Sequence, residues 1–231
     1  MNGKWNKYRR KRVKKVCLIA IIVIGILFLS EKTTEYKLIS MSTYWIKCNV
    51  ARAHDFFSGV GIRAGMQNDV EIASKTYISY IDDDLLSEYY ADGGQFVYVT
   101  NDEIEKIRRN ANSATVLSSS AKEKLKILLG CYEQETKKIY INLCKENKYS
   151  STVVHEFAHY LDQKYNFSSA IEFMNVADKE QKQFALFDAE VEIDREEYFA
   201  AAYAAYLTQP HFLKMAAPDT YSYMEKLIKN I

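Results

Sequence analysis

The sequence predicts an α+β protein that lies behind an N-terminal transmembrane helix. An apolar run with a basic flank occupies residues 16–29, strand-like segments lie between residues 95 and 142, and the patterns after residue 151 have a helical period. Strands that precede a series of helices are typical of α+β order and not of a βαβ series. We therefore expect one small sheet followed by a helical C-terminal half.

The composition of the 231 residues is that of a globular protein, with 48% apolar and 26% charged residues. This balance excludes a disordered chain. The first 30 residues hold eight of the 31 basic residues and none of the 30 acidic ones, which leaves a net charge of −7 in residues 31–231. An acidic body of this kind excludes nucleic acid as the expected partner.

The N-terminal segment has the features of a targeting sequence. Eight basic residues precede the apolar stretch from Val16 to Leu29. Cleavage after Ser30 would place Phe28 and Ser30 at the −3 and −1 positions, where signal peptidase requires small residues. Phe28 is too large for this requirement. We therefore expect an uncleaved signal anchor in residues 16–29, with the N terminus cytoplasmic and the remaining chain extracellular at the cell membrane. The alternative is a protein that is secreted after signal cleavage.

The rest of the chain is predicted to contain two parts. Residues 31–58 have apolar positions at helical spacing and are expected to form a tether helix after the 1–30 segment. Three glycines, at positions 59, 61 and 65, then interrupt this pattern, and residues 59–231 are expected to form one domain.

Secondary-structure signals in this domain follow the order expected for the fold. Asp82 to Asp84 cap a helix that ends near Ala91, and Thr100 with Glu103 forms a capping box for a helix at 102–110. A second capping box is predicted at Ser169 and Glu172. The predicted strands are residues 95–100, 130–132 and 139–142, the last two forming a hairpin.

The predicted helix that begins at Ser151 carries the motif HEFAH at residues 155–159. Histidines four residues apart lie on one helical face, so His155 and His159 are able to bind one zinc ion. Glu156 projects beside that face, where it is expected to act as the general base. The alternative is a pair of buried histidines around a structural glutamate.

A catalytic zinc ion needs a third protein ligand and one open position. Asp162 and Tyr165 occupy the places where the metzincin motif has Gly and His, so that class is excluded. The remaining candidates are Glu190, Glu192, Asp194, Glu196 and Glu197.

Helical packing favours one of these candidates. Glu197 shares its face with Ala201 and Ala204, which allow a close approach to the HEFAH helix, whereas Glu196 shares its face with the larger Tyr203. We expect exposed positions for the first three acidic residues. Packing thus favours Glu197 over Glu196 as the third ligand of one zinc ion per chain, beside His155 and His159.

Other polar residues have weaker signals. Asp162 either orients a histidine or is exposed on its helix, and exposure is the stronger expectation. His211 either stabilises an oxyanion or is a surface residue, and His54 has no evident partner. Cys131 and Cys144 are expected either to form a short disulfide loop or to be free thiols.

The chain resembles the anthrax lethal factor-like metallopeptidases, a family that includes the Pro-Pro endopeptidases. The resemblance covers residue 95 to the C terminus and rests on HEFAH together with REEYFAAAY at 195–203, KMAAP at 214–218 and YMEKLI at 223–228. It implies a zincin-type metallopeptidase domain in which His155, His159 and Glu197 bind zinc and Glu156 is the catalytic base. The family usually has a tyrosine where this chain has Glu190, and Phe187 is the nearest aromatic residue.

These observations predict a membrane-anchored zinc endopeptidase that hydrolyses peptide bonds of a protein or peptide substrate at the outer cell surface. Two alternatives remain at this point. One is an inactive zincin-fold binding module, which the glutamate at position 190 favours. The other is a zinc hydrolase of non-peptide substrates, because a metal site alone does not define the bond that is cleaved.

Overall fold

The computed structural model describes residues 36–112, 128–188 and 194–231. The chain divides into two units, Met1–Ala51 and Arg52–Ile231, and the described part of the first unit is helical. The α-helices are α1 (Tyr36–Ser58), α2 (Val60–Gly65), α3 (Val70–Ile78), α4 (Asp83–Ala91), α5 (Asn101–Asn112), α6 (Thr152–Tyr165), α7 (Ile171–Phe184), α8 (Arg195–Thr208), α9 (Pro210–Ala216) and α10 (Pro218–Asn230). The strands are β1 (Gln95–Val99), β2 (Gly130–Glu133) and β3 (Lys138–Asn142), and two 3₁₀ helices are Lys145–Tyr149 and Phe167–Ser169.

The predicted α+β order, a small sheet followed by a helical C-terminal half, is wrong, because α2 and α3 precede β1 in addition to the expected helix that ends near Ala91. The described protein is mostly helical, with one small sheet. The glycines that were expected to interrupt the chain lie next to or within α2 instead. Gly61 is buried in this helix, and a Cβ atom there would collide with the ring of Phe56. Glycine here allows a close helix contact and does not end the helix.

The predicted transmembrane helix and single-pass membrane localisation are also corrected. No helix within residues 36–112, 128–188 and 194–231 is long and apolar enough to cross a membrane. Helix α1 has 23 residues, which is sufficient length, but it includes Lys37, Lys47, Arg52 and Asp55. Charged side chains at these intervals prevent a continuous apolar surface. The predicted anchor at residues 16–29 lies outside the described residues.

The division into residues 1–30, 31–58 and 59–231 stays a prediction. Helix α1 lies within the range expected for the tether helix. Cys131 and Cys144 are both free thiols, so the disulfide that was one of two alternatives is not formed.

The three strands form a mixed sheet in the order β1-β3-β2. Strand β1 is parallel to β3, with Phe96 opposite Ile139, and β2 is antiparallel to β3, with Cys131 opposite Tyr140. Strands β2 and β3 form the expected hairpin, whose turn contains Lys137 at a φ of 54°. Within the described residues β2 has a strand neighbour on one side only, so β2 is an edge strand.

Tyr89 joins the beginning of the sheet to helix α6. Its hydroxyl group lies 2.9 Å from the carbonyl oxygens of both Gln95 and Lys137 and donates to them. Its buried ring packs against Phe157 and Tyr160 of α6, with ring centroids 5.5 and 4.8 Å apart. One side chain therefore fixes the position of the sheet relative to α6.

Two of the three predicted helix caps are formed. Asp82 accepts hydrogen bonds from the backbone N–H groups of Asp84 and Leu85, and Glu103 accepts from the N–H and hydroxyl groups of Thr100. The capping box at Ser169 and Glu172 is wrong. Helix α7 begins at Ile171, after Ala170, and has no side-chain cap, because Ser169 belongs to the preceding 3₁₀ helix.

A buried carboxylate holds the C-terminal helices together. Glu180 on α7 accepts hydrogen bonds from the backbone N–H groups of Asp219 and Thr220, at 3.0 and 2.8 Å, and so caps helix α10. The Thr220 hydroxyl group lies 2.6 Å from the hydroxyl group of Tyr198. Tyr198 is a buried residue of α8, so this network fixes α8 against α7 and α10.

Replacing Tyr89 by Phe removes the hydroxyl group and leaves the packed ring in place. We expect a loss of about 1 kcal/mol in the free energy of unfolding, since two carbonyl oxygens lose their shared donor. The matched control is Tyr90→Phe, because Tyr90 is the next residue and is exposed. Urea unfolding of the three proteins measures the difference, and equal stability of Tyr89→Phe and Tyr90→Phe would contradict the role of the Tyr89 hydroxyl group.

Candidate metal centre

Helix α6 positions His155, Glu156 and His159. Its buried side includes Val154, Ala158 and Leu161, all with no exposed surface. The helix ends at Asn166, which has a left-handed backbone conformation with a φ of 57°. This residue type tolerates that conformation better than most, and its N–H group satisfies a carbonyl group in the last turn. The motif therefore lies on a helix that is packed along its length.

Helix α8 supplies Glu197 from the other side of the centre. Helices α6 and α8 pack directly against each other. Ala201 and Ala204, the residues on the face of Glu197, are 7% and 4% exposed. Small side chains at such a contact reduce the distance between two helices. The alanines thus allow Glu197 to reach the histidines of α6.

The three side chains meet at short distances. His155 Nε2 lies 3.2 Å from His159 Nε2 and 3.2 Å from Glu197 Oε2, and His159 Nε2 lies 3.5 Å from Glu197 Oε1. Two ligand atoms that bind one tetrahedral zinc ion at 2.0–2.1 Å are about 3.3 Å apart. The observed spacings agree with this value, and two imidazole nitrogens with one carboxylate are a ligand set that zinc prefers. These residues fit a zinc ion.

The electrostatic environment differs between the two histidines. The pKa of His159 is lowered to about 4, first by burial and then by the neighbouring His155. Burial also acts to lower the pKa of His155, but the hydrogen bond with Glu197 and the nearby charges of Glu156 and Asp188 raise it overall. His159 is therefore neutral near pH 7, as a metal ligand requires.

Glu156 is buried, with 9% of its surface exposed, and it lies against the beginning of β2. A Cβ atom on Gly130 would be 2.5 Å from Thr152 Cγ2, 2.9 Å from Glu156 Cγ and 3.0 Å from Glu156 Oε1. Only glycine allows the strand to come so near this face of α6. The sequence predicted a strand at Gly130 but not its contact with Glu156, although a glycine at the start of a strand is a signal of close backbone approach.

The charge of Glu156 also affects the pKa of Cys131, the next residue of β2. Burial raises the pKa of Cys131 to about 12, and the negative charges of Glu156 and Glu133 contribute. Cys131 is therefore a neutral thiol beside the carboxylate of Glu156. The edge strand β2 and the HEFAH helix are in direct contact at this point.

The other acidic candidates lie elsewhere. Asp194 caps α8 by accepting a hydrogen bond from the N–H group of Glu196, and the side chain of Glu196 is exposed. Burial and the charges of Asp194, Asp162 and Glu197 raise the pKa of Glu196. Glu190 and Glu192 lie outside the described residues.

Asp162 is buried, so the expectation of an exposed acid is wrong. Its Oδ1 atom accepts a hydrogen bond of 2.6 Å from the backbone N–H group of Ser168 and holds the turn after α6. Phe187 packs against Phe212, with ring centroids 5.3 Å apart. His211 and His54 both contact Asp55, a partner that sequence reasoning did not identify.

A helix with two histidines four residues apart, an intervening glutamate and a crossing helix with a second glutamate define the class of HExxH metallopeptidases. The family model "Anthrax toxin lethal factor, N- and C-terminal domain" matches residues 65–227. The chain belongs to this family, which confirms the predicted resemblance.

The comparison with solved structures is consistent with this assignment. The structure of the Pro-Pro endopeptidase PPEP-2 from Paenibacillus alvei matches with a TM-score of 0.56 and 22% sequence identity, over 68% of this chain and 90% of that chain. At this identity the likeness concerns the fold. The comparison with curated proteins found no match.

Replacing Gly130 by Ala places a methyl group against Thr152 and Glu156. We expect the free energy of unfolding to fall by about 1–3 kcal/mol, as is typical of an overpacked contact. The double variant Gly130→Ala with Thr152→Ser lacks the Cγ2 atom of Thr152, the atom nearest the added methyl group, and should regain part of this loss. Urea unfolding of the single and double variants measures the coupling. A fully stable Gly130→Ala protein would show that β2 is not in tight contact with α6.

Proposed function

We propose that the protein is a zinc-dependent endopeptidase in which His155, His159 and Glu197 bind the metal ion and Glu156 is the general base. The observation that carries this proposal is the convergence of the donor atoms beside the buried carboxylate of Glu156: His155 Nε2 lies 3.2 Å from both His159 Nε2 and Glu197 Oε2, and His159 Nε2 lies 3.5 Å from Glu197 Oε1. The membership in the lethal factor family supports peptide hydrolysis as the reaction.

The three proposed zinc ligands and Glu156 have different roles in hydrolysis. A bound zinc ion would lower the pKa of a water molecule towards 7 and polarise the carbonyl group of the scissile bond. Glu156 takes a proton from the attacking water and delivers it to the leaving amine. The packing of helix α6 and the close approach of Gly130 hold this carboxylate in a fixed position during both transfers.

The edge strand supports an extended peptide as the substrate. Strand β2 begins at Gly130, beside Glu156, and its described neighbour β3 lies on one side only. An extended chain that paired with the other side of β2 would add a strand to the sheet. Its backbone would then pass the carboxylate of Glu156. A non-peptide substrate lacks the backbone N–H and C=O groups that would pair with this strand.

Replacing Glu197 by Ala should remove one equivalent of zinc from the protein. The change leaves two protein ligands, which is fewer than a catalytic zinc site needs. The matched control is Glu196→Ala, since Glu196 is the adjacent glutamate and is exposed. Metal analysis after dialysis against buffered zinc measures the difference. Full zinc content in Glu197→Ala together with a loss in Glu196→Ala would reverse the assignment.

Replacing Glu156 by Gln preserves the shape of the side chain and removes the base. Zinc content should stay unchanged, while the rate of peptide cleavage falls by about 10²- to 10⁴-fold. Glu172→Gln, on an exposed position of α7, is the control for the loss of one carboxylate. The assay is cleavage of a diverse peptide library by the zinc-loaded proteins. An inactive wild-type protein with full zinc content would favour the binding-module alternative.

A further inference from the structure

A second cluster of metal-ligating side chains lies between the C-terminal end of α1 and the beginning of α9. Asp55 Oδ1 is 2.6 Å from His211 Nδ1 and 3.5 Å from His54 Nδ1. The two imidazole rings are nearly perpendicular, with centroids 4.9 Å apart. The three ligand atoms all lie within 4.8 Å of one another. The 2.6 Å contact is a hydrogen bond, and it would lengthen to about 3.3 Å, the spacing of two zinc ligands, when both atoms bind one cation.

The fold holds the carboxylate of this cluster in place. The side chain of Asp55 is 2% exposed, and its Oδ2 atom accepts a 2.7 Å hydrogen bond from the backbone N–H group of Phe212. Arg52 also connects this end of α1 to the beginning of α9. Its Nε donates to Gln209 Oε1, and its guanidinium group lies 4.9 Å from the ring centroid of Phe212. Since Oδ2 is occupied in this way, Oδ1 is the atom that faces both histidines.

The chemistry of the donors selects the kind of ligand. Two imidazole nitrogens that converge on one carboxylate oxygen suit zinc and similar divalent transition metals, whereas calcium and magnesium prefer oxygen ligands alone. The chain contains four histidines, and all four belong to the two clusters of two histidines with one carboxylate. No other histidine of the protein competes for this role.

We propose that His54, Asp55 and His211 form a second binding site for a zinc-class divalent cation, separate from the centre on α6 and α8. The His54 and His211 side chains are 58% and 66% exposed, against 22% and 18% for His155 and His159. The second site is therefore open to water, binds more weakly and exchanges its cation more readily. A cation there links the end of α1 to α9 across 156 residues of sequence.

The experiment is a zinc titration of the full-length protein followed by the NMR signals of its four histidine rings. The protein is first treated with a chelator. We expect His155 and His159 to respond to the first equivalent, and His54 and His211 to respond together to a second one. This readout is independent of peptide cleavage, so the second site is tested even if the proposed activity is absent.

Asparagine variants separate metal binding from a simple hydrogen bond. In His211→Asn an amide N–H group replaces the imidazole N–H that donates to Asp55, so the hydrogen bond is kept while the metal ligand is lost. In His54→Asn the metal ligand is lost from a 3.5 Å contact with Asp55 that is not a hydrogen bond. Each variant should bind one equivalent of zinc instead of two and retain the first site. Both positions are exposed, so the fold should tolerate the changes. One equivalent in the wild-type protein, or two in both variants, would overturn the proposal and leave an ion pair of Asp55 with the histidines.

Discussion

The close packing of α6 against α8 is the constraint on which the rest of the metal centre depends. The histidines and Glu197 belong to different helices, and their donor atoms lie only 3.2–3.5 Å apart. Larger side chains in place of Ala201 and Ala204 would move the helices apart by more than a zinc site tolerates. The hydrogen bond of Tyr198 with Thr220 holds α8 in the required position from its other side.

The same packing creates an electrostatic requirement. Burial opposes positive charge on both imidazoles, yet the carboxylate of Glu197 lies 3.2 Å from His155 Nε2. The pKa of His159 is lowered, first by burial and then by the neighbouring His155, whereas the hydrogen bond with Glu197 and the nearby negative charges outweigh burial and raise the pKa of His155. A divalent cation shared by both rings and Glu197 satisfies all three groups. A divalent cation is therefore the ligand that we propose for this centre.

The two clusters use the same donor types with different support. In the centre on α6, helical spacing fixes both rings and the crossing helix fixes the carboxylate. In the cluster at Asp55 only the carboxylate is fixed, through the backbone of Phe212, and the rings project into solvent. A ligand set that the protein fixes in advance binds a metal more tightly, since less freedom is lost on binding. This difference explains why we assign catalysis to the first cluster and cation exchange to the second.

The sequence alone determined the local parts of this protein. The helical period placed His155, Glu156 and His159 on one face, the caps at Asp82 and Thr100 follow from neighbouring residues, and the hairpin follows from its turn. The family followed from the HEFAH and REEYFAAAY motifs, and the structure brings Glu197, the ligand favoured by its alanine face, to the histidines.

Tertiary structure decided the features that depend on distant residues. Gly61 lies within α2 and permits a close contact with Phe56, and Asp162 is buried with its carboxylate accepting from the N–H group of Ser168. Asp55 and His211 are 156 residues apart and meet only when α1 and α9 pack. Secondary structure has a local period that can be recognised in the sequence. A contact between two distant helices has none, since it depends on how every intervening element packs.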